Sequence, residues 1–345
     1  MQQITTGHLL DQPGVFPHDM TSLFDPVRLG EIELPNRIVM APAAGAGARL
    51  RRVPDDGMRA YYAQRADAGL ILVGASVSPS GIAHPDTPGL WNSQQVQGWR
   101  MVTEAIHQRG GRIVLQLWHA GRVSDPEYLS GEMPVAPSAI PCGVGPCPHA
   151  GGFVVPRSLS LDEIQRIVAD FAQAARHAWL AGVDGVEVHA GDGYLVDQFL
   201  HDGSNGRQDG YGGCVDRRSR FLLEIVDACI GIWGAGRVGV HVSPRGDRHD
   251  MRDADPVALY EHMARELGRR RLAFMCVREH EGADALAPVI RNAFSGPMVL
   301  SEGYDAGSAL RAIQAGRAEA IAFGQAFVRN ADFVQRLRAD LVSVG

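Results

Sequence analysis

The sequence predicts an α/β protein, specifically a (β/α)8 TIM barrel. Short apolar runs alternate with amphipathic helical segments, and the alternation occurs eight times. The chain has 345 residues, 45% of them hydrophobic, which is enough for one large core. Strand–helix alternation predicts a parallel sheet, and eight units in this length predict a closed barrel. A doubly wound parallel sheet is the alternative.

The strands are predicted from short runs of β-branched and aliphatic residues, each bounded by polar or turn-forming residues. In chain order, the expected strands are Arg37–Pro42, Leu70–Ser76, Arg112–His119, Gly185–His189, Val238–Val242, Phe274–Arg278, Met298–Ser301 and Ala320–Phe323.

The helices are predicted from apolar residues that recur at helical spacing between the strands. The longest begins after Ser160, which forms a capping box with Glu163. The expected helices are Met58–Gly69, Val96–Arg109, Leu161–Ala181, Val215–Gly231, Pro256–Leu267, Asp284–Ala293, Ala306–Ala315 and Phe327–Leu341.

One glycine motif bears on the choice between the two sheet types. The stretch from Gly234 to Gly239 matches G-x-G-x-x-G, a dinucleotide-binding pattern. It follows a predicted helix and precedes a predicted strand, the reverse of the order that this motif requires. We therefore interpret it as a loop, and the doubly wound alternative gains no support.

The domain organisation is expected to be simple. Residues 1–21 are interpreted as a loose N-terminal tail, and residues 22–345 as a single barrel domain. A Pro- and Gly-rich stretch at 124–156 is expected to form a long loop insertion.

Composition excludes several classes of function. A net charge of −6 argues against a nucleic-acid partner, and no apolar run has membrane-spanning length. All 33 basic residues are arginine, which excludes a lysine Schiff base and a P-loop lysine.

The N-terminus lacks a signal-peptide pattern and the five cysteines are sparse, so a reduced, cytoplasmic protein is expected. No metal site is expected, because the single Cys142-x4-Cys147 pair has no second pair.

The carboxyl ends of the predicted strands carry polar side chains. In a (β/α)8 barrel these ends form the active face. A mouth with amide, imidazole and carboxylate groups indicates an enzyme that moves protons on a small organic molecule. The side chains are those of Gln116, His119, His189, His241, Glu279, Glu302 and Gln325.

Longer motifs resemble the old yellow enzyme family, FMN-dependent NAD(P)H ene reductases. They run in order across every barrel unit, from about residue 22 to 340. The matching stretches are Leu23–Pro26, Leu34–Pro42, Tyr61–Ala66, Leu115–Arg122, Pro134–Ser138, Gly193–Phe199 and Asp209–Gly213.

The resemblance implies roles for three residues. In the family, reduced FMN delivers a hydride to the β-carbon of a conjugated carbonyl compound and a tyrosine protonates the α-carbon, a position held here by Tyr194. His189 matches the first ligand of the carbonyl oxygen. Trp118, near the end of the third predicted strand, is expected either to line the substrate pocket or to fill the core. Asp192 holds the second ligand position, where an ionised carboxylate cannot donate a hydrogen bond. It would help the reaction only if protonated, or by holding His189 as an imidazolium.

The resemblance also implies an FMN site that is partly substituted. Its positions are Pro42, Ala44, Ala75, Gln116, His241, Glu302, Gly303, Gly324 and Gln325. Ala44 replaces a threonine or cysteine beside the flavin C4 carbonyl, and His241 replaces an arginine beside flavin N1. Glu302 replaces a phosphate-loop glycine, and Gln325 replaces the arginine that pairs with the FMN phosphate. These changes are expected to weaken FMN binding.

Two functions therefore remain open at the level of sequence. In the first, the protein is an FMN-dependent oxidoreductase that reduces the C=C bond of a conjugated carbonyl compound, or desaturates in reverse, with NAD(P)H as the reductant. In the second, a flavin-free barrel performs isomerisation, dehydration or cyclisation with Tyr194, His189 and Asp192. A non-catalytic binding protein is a third, less favoured class. Because family members are often oligomeric, a homodimer is one expected assembly.

Overall fold

A closed barrel of eight parallel strands forms the centre of the computed structural model, which describes residues 21–42, 52–143, 152–245 and 248–344. This confirms the predicted (β/α)8 fold. Around the barrel the strands follow chain order, and the last pairs with the first. They are β3 (Ile38–Met40), β4 (Leu70–Ser76), β5 (Ile113–Trp118), β8 (Gly185–Ala190), β9 (Val238–Val242), β10 (Phe274–Arg278), β11 (Met298–Ser301) and β12 (Ala320–Phe323).

Helices surround this barrel, as the apolar periodicity predicts. The eight main helices are α1 (Asp56–Ala63), α2 (Ser93–His107), α3 (Leu161–Ala181), α5 (Val215–Trp233), α6 (Pro256–Arg269), α7 (Ala287–Phe294), α8 (Ala306–Gln314) and α10 (Phe333–Val344). The capping box of Ser160 and Glu163 is present at the start of α3. One short helix, α4 (Leu195–Leu200), was not predicted. The single helix predicted over Phe327–Leu341 is in fact two helices, α9 (Gln325–Arg329) and α10, because Asn330 between them has an extended backbone conformation.

A hairpin that the sequence analysis missed covers the amino-terminal end of the barrel. Its strands are β1 (Val27–Leu29) and β2 (Ile32–Leu34), which pair antiparallel. Gly30 packs directly on Ala273, at the start of β10. The hairpin buries Leu29 and Ile32 against the barrel floor. A second small pair joins β6 (Val135–Ala136), which lies within the predicted loop insertion, to β7 (Arg157–Ser158), which follows it.

The barrel interior changes from apolar to polar along the strands. Near the floor it is filled by residues such as Val39, Leu72 and Phe274. Further along β5 and β8, the buried interior residues are Gln116 and Glu187, which are register partners. The open, polar end is therefore the carboxyl end of the strands, where the sequence predicts the active face.

Some expectations concern residues outside the described ranges. Residues 1–20 of the predicted tail, Ala44 and Cys147 belong to this group. Within the described ranges, no helix combines the length and apolar character that a membrane span requires.

Candidate active site

The turn after β8 places three predicted residues at the barrel mouth. Asp192 and Gly193 both have positive φ, of 57° and 76°. This conformation is uncommon for a residue with a side chain and is readily adopted by glycine. A Cβ on Gly193 would lie 2.7 Å from the Cβ of His249, so no larger residue fits there. The chain then reverses, and Tyr194 becomes the N-cap residue of α4.

Hydrogen bonds hold this turn on several sides. The Asp192 N–H donates to Ser243 Oγ at 2.6 Å, and the Asp192 carbonyl oxygen lies 2.6 Å from His249 Nδ1. The Gly193 N–H donates to Asp197 Oδ2 at 2.9 Å. Since these contacts fix the backbone, the side chains of Asp192 and Tyr194 are preorganised rather than ordered on ligand binding.

Tyr194 lies among aromatic and imidazole rings at the mouth. Its ring centroid is 4.9 Å from that of Trp118, 5.2 Å from His189 and 5.8 Å from His249. Burial and the Asp192 charge raise the pKa of Tyr194 to about 12, so the phenol stays protonated at neutral pH. The structure therefore brings the predicted proton donor, carbonyl ligand and substrate residue together.

His189 and Asp192 are close but do not form the pair that the sequence analysis considered. The distance from His189 Nε2 to Asp192 Oδ2 is 3.8 Å, too long for a hydrogen bond. Burial lowers the pKa of His189 to about 3, so its imidazole is neutral. Burial alone would raise the pKa of Asp192, but positive charge outweighs it and lowers the pKa to about 2: His189 and His241, which are protonated only in this acid range, and Arg278, which is charged throughout. Neither a protonated aspartate nor an imidazolium is favoured at neutral pH.

Arg278, which the sequence analysis missed, forms the contact that ionised Asp192 needs. It lies at the end of β10 with a side chain 15% exposed. Its Nη1 donates to Asp192 Oδ1, and its Nη2 pairs with Glu302 Oε2 at 2.7 Å. The guanidinium thus links the end of β8 to the end of β11 across the mouth. The position of Arg278 as the last residue of a predicted strand was the available signal.

Below the mouth, the predicted flavin contact Gln116 is engaged with a buried carboxyl group. Gln116 Nε2 donates to Glu187 Oε2 at 2.7 Å. Burial raises the pKa of Glu187 to about 8, with the hydrogen bond from Gln116 opposing the shift. His241 and Cys276 lie beside Glu187, and one ligand-capable atom from each of the three falls within 4.8 Å of the others.

The remaining predicted cofactor residues are spread along the opposite side of the mouth. Ala75 is fully buried in β4, and Pro42 is half-buried after β3. Gly303 has φ of +80° directly after Glu302. Gly324 precedes α9 with open space where a Cβ would be, and Gln325 is exposed as the first residue of that helix.

A buried ion pair anchors the helix that follows Tyr194. His201 Nε2 lies 3.1 Å from Asp197 Oδ1, and Asp197 also accepts from the turn at Gly193. Burial alone lowers the pKa of His201, but the Asp197 carboxylate outweighs it and raises the pKa. Tyr260, Asp253 and Arg218 are the other polar groups that face this pair.

This ion pair predicts a pH dependence of stability. A raised histidine pKa stabilises the fold below the unfolded-state pKa of about 6.5, and the stabilisation is lost as pH rises through the folded-state pKa. The free energy of unfolding of the wild type, minus that of His201→Gln, should therefore fall as pH increases above about 6.5. Urea unfolding across a pH series measures this difference. Parallel pH profiles for the two proteins would contradict the assignment.

Comparison with known proteins identifies the family. A profile described as NADH:flavin oxidoreductase / NADH oxidase family matches residues 22–343. The chain belongs to this family. The 12-oxophytodienoate reductase 1 of Oryza sativa subsp. japonica is 36% identical over 331 residues, covering 92% of this chain and 86% of that protein. A flavin oxidoreductase of Emericella nidulans, hxnT, is 35% identical over 353 residues, covering 92% and 90%.

Solved structures of the same family share the fold. The old yellow enzyme homologue from Zymomonas mobilis superimposes with a TM-score of 0.89 at 40% identity, covering 93% of both chains. Morphinone reductase superimposes with a TM-score of 0.88 at 39% identity, covering 92% of this chain and 90% of that one. The protein is thus an oxidoreductase of the old yellow enzyme family, in which FMN is the cofactor.

The described residues fit the ring end of FMN. Both ring nitrogens of His241 and Nδ1 of His189 are buried and have no hydrogen-bond partner among the residues that the structure describes. Buried polar atoms normally have partners, and the flavin pyrimidine edge carries both donors and acceptors. At the positions that the resemblance assigns to the FMN phosphate, the Glu302 carboxylate pairs with Arg278 and lies 3.3 Å from His280 Nε2, and Gln325 brings no charge. The residues present therefore match the flavin ring of FMN better than they match its phosphate group.

Proposed function

We propose that the protein reduces the C=C bond of a conjugated carbonyl compound, with Tyr194 as the proton donor and with His189 and Arg278 binding the carbonyl oxygen. The observation that carries the proposal is the cluster at the barrel mouth in which the Tyr194 ring centroid lies 5.2 Å from that of His189 and 4.9 Å from that of Trp118. A protonated phenol and a neutral imidazole are the protonation states that this reaction uses.

Arg278 supplies a hydrogen-bond donor for the carbonyl oxygen of the substrate, which an ionised Asp192 cannot do. A neutral His189 donates one hydrogen bond through the ring nitrogen that carries its proton. The ionised Asp192 repels the negative charge that develops on the carbonyl oxygen, but it holds the Arg278 guanidinium beside that position. Guanidinium groups stabilise such developing charge through several N–H donors.

Tyr194 supplies the proton that is added to the α-carbon. The phenol O–H bond breaks, its proton forms the new C–H bond at the α-carbon, and solvent reprotonates the phenolate. The high pKa of Tyr194, about 12, makes this phenolate basic enough to regain a proton rapidly at neutral pH. Trp118, beside Tyr194, offers an apolar surface for the carbon skeleton of the substrate.

FMN is held in this proposal by Gln116, His241, Gly303, Gly324 and Gln325. When bound and reduced by NAD(P)H, it supplies the hydride for the β-carbon. A solved structure of a relative supports NAD(P)H as the reductant. It is morphinone reductase in complex with tetrahydroNAD, which superimposes on this chain with a TM-score of 0.89 at 40% identity. Several curated relatives are named 12-oxophytodienoate reductases.

Asp192→Asn tests the altered carbonyl clamp. The amide adds a donor beside His189 and removes a negative charge, while Glu302 still holds Arg278. We expect kcat/KM for a simple cyclic enone to rise about tenfold, which is the effect of roughly 1–2 kcal/mol from a hydrogen bond to a developing charge. Steady-state kinetics at saturating FMN measure the change, with exposed Asp284→Asn as the control. A lower kcat/KM would mean that the Asp192 charge is needed to position Arg278.

Product analysis tests the proposed function as a whole. The protein is incubated anaerobically with FMN, NADH or NADPH, and 2-cyclohexenone. We expect the saturated ketone to form in step with oxidation of the nicotinamide. Absence of saturated product with both nucleotides and a panel of cyclic and acyclic enones would overturn the proposal. Conversion of an enone without nucleotide consumption would favour the flavin-free alternative.

A further inference from the structure

Three neighbouring strands carry a cluster of metal-ligating side chains inside the barrel. Glu187 lies on β8, His241 on β9 and Cys276 on β10. His241 and Cys276 are direct register partners, and Glu187 lies on the other side of β9 from Cys276. A carboxylate oxygen, an imidazole nitrogen and the thiol sulfur all lie within 4.8 Å of one another.

The donor set is typical of one kind of cation. Cysteine sulfur, histidine nitrogen and glutamate oxygen are all common ligands of zinc in proteins. A thiolate is a soft ligand, whereas magnesium and calcium prefer hard oxygen ligands, so these two ions do not match the set. Three protein ligands leave a fourth position for water or substrate, as in catalytic zinc sites. The three residues lie one to three positions before the carboxyl ends of their strands, just below the mouth.

The cluster combines deep burial with polar atoms that have no protein partner. Glu187 is fully buried, and Cys276 and His241 are 1% and 5% exposed. Within the described part of the chain, Glu187 Oε1 and both ring nitrogens of His241 have no hydrogen-bond partner. Leaving several polar atoms unsatisfied in one buried place is costly, and a bound cation would satisfy Glu187 Oε1 and one of the two His241 nitrogens.

A neighbouring residue already orients one of the ligands. Gln116 donates to Glu187 Oε2 at 2.7 Å, which leaves Oε1 directed away from this bond and free to bind a cation. Hydrogen bonds of this kind to ligating carboxylates are a regular feature of metal sites.

We propose that Glu187, His241 and Cys276 bind a divalent transition-metal ion, with zinc as the best match to the ligands. One ring nitrogen of His241 contacts the metal, and the other remains available to the flavin. The metal and the flavin therefore use different nitrogens of His241. The metal site does not depend on the proposed redox function, because metal content is measured without flavin, nucleotide or enone.

The experiment measures metal in the full-length protein and in two variants. Because the cluster is buried, the ion is loaded during folding, so the protein is expressed in medium supplemented with zinc, or with cobalt in its place. Metal is counted by mass spectrometry after desalting into metal-free buffer. Cys276→Ser removes the proposed ligand, and Cys229→Ser, another buried free cysteine, is the matched control. Circular dichroism checks that each variant is folded.

We expect one zinc per chain in the wild type and in Cys229→Ser, and a large loss in Cys276→Ser. The cobalt form should show a thiolate-to-cobalt charge-transfer band in the near ultraviolet. A wild type without stoichiometric metal, or a cobalt form without that band, would overturn the proposal even if Cys276→Ser does not fold. Full metal occupancy in folded Cys276→Ser would overturn it as well.

Discussion

Replacing Tyr194 by phenylalanine is expected to lower kcat for enone reduction by about 10²-fold or more, the usual contribution of a positioned general acid. The ring contacts with Trp118 and His189 do not need the hydroxyl group, so substrate binding should change little. Reduction of the flavin by NAD(P)H does not use this proton and should be unaffected. Rapid-mixing measurements of the two half-reactions separate these effects.

Tyr211→Phe is the matched control for this substitution. Its hydroxyl hydrogen-bonds to Glu224 Oε2 at 2.9 Å, outside the barrel mouth, so the variant also loses a partly buried phenol without touching the site. We expect it to keep wild-type rates in both half-reactions. Unchanged enone reduction in Tyr194→Phe would remove Tyr194 from the mechanism, and a slowed reductive half-reaction would show that the substitution disturbs the flavin instead.

Restoring the phosphate end should strengthen FMN binding. Gln325→Arg adds a guanidinium that can pair with phosphate, and Glu302→Gly removes a carboxylate that repels it. Each change is expected to lower the Kd for FMN about 30-fold, the equivalent of roughly 2 kcal/mol for a charge-assisted hydrogen bond. Glu302 has φ of +84°, so glycine also suits the backbone better than glutamate does.

Quenching of FMN fluorescence on titration with protein measures these affinities. Glu281→Gln serves as the control, since Glu281 is an exposed carboxylate of the same cleft that pairs with Arg317. It should leave the Kd for FMN close to the wild-type value. Thermal unfolding without FMN separates a gain in stability from a gain in affinity. An unchanged Kd in the double variant would show that FMN binding does not use this end of the mouth as the resemblance implies.

The sequence allowed the barrel and much of its mouth to be predicted, because both depend on local patterns. Each strand is a short apolar run, and His189 and Gln116 lie at or near strand ends that the fold must bring together. The hairpin from Val27 to Leu34 was missed because its strands have only three residues each. The break at Asn330 was missed because nothing in the apolar periodicity interrupts the helix there.

Contacts between distant strands could not be predicted in the same way. Arg278 reaches Asp192 and Glu302 from positions 86 and 24 residues away, and its choice of partners depends on side-chain direction at the mouth. From the sequence, Asp192 was paired instead with His189, because the two residues hold the carbonyl-ligand positions that the resemblance implies. The cluster of Glu187, His241 and Cys276 was missed for the same reason, since three strands contribute one ligand each.

The central claim, that this barrel is a flavin-dependent reductase despite its altered phosphate end, is tested most directly by a visible absorption spectrum. The purified protein is mixed with excess FMN, desalted rapidly and examined anaerobically before and after addition of NADH or NADPH. The account predicts a retained, protein-perturbed flavin spectrum that either nucleotide bleaches and an enone restores. A protein that neither perturbs the FMN spectrum at any concentration nor allows its bleaching would contradict the account.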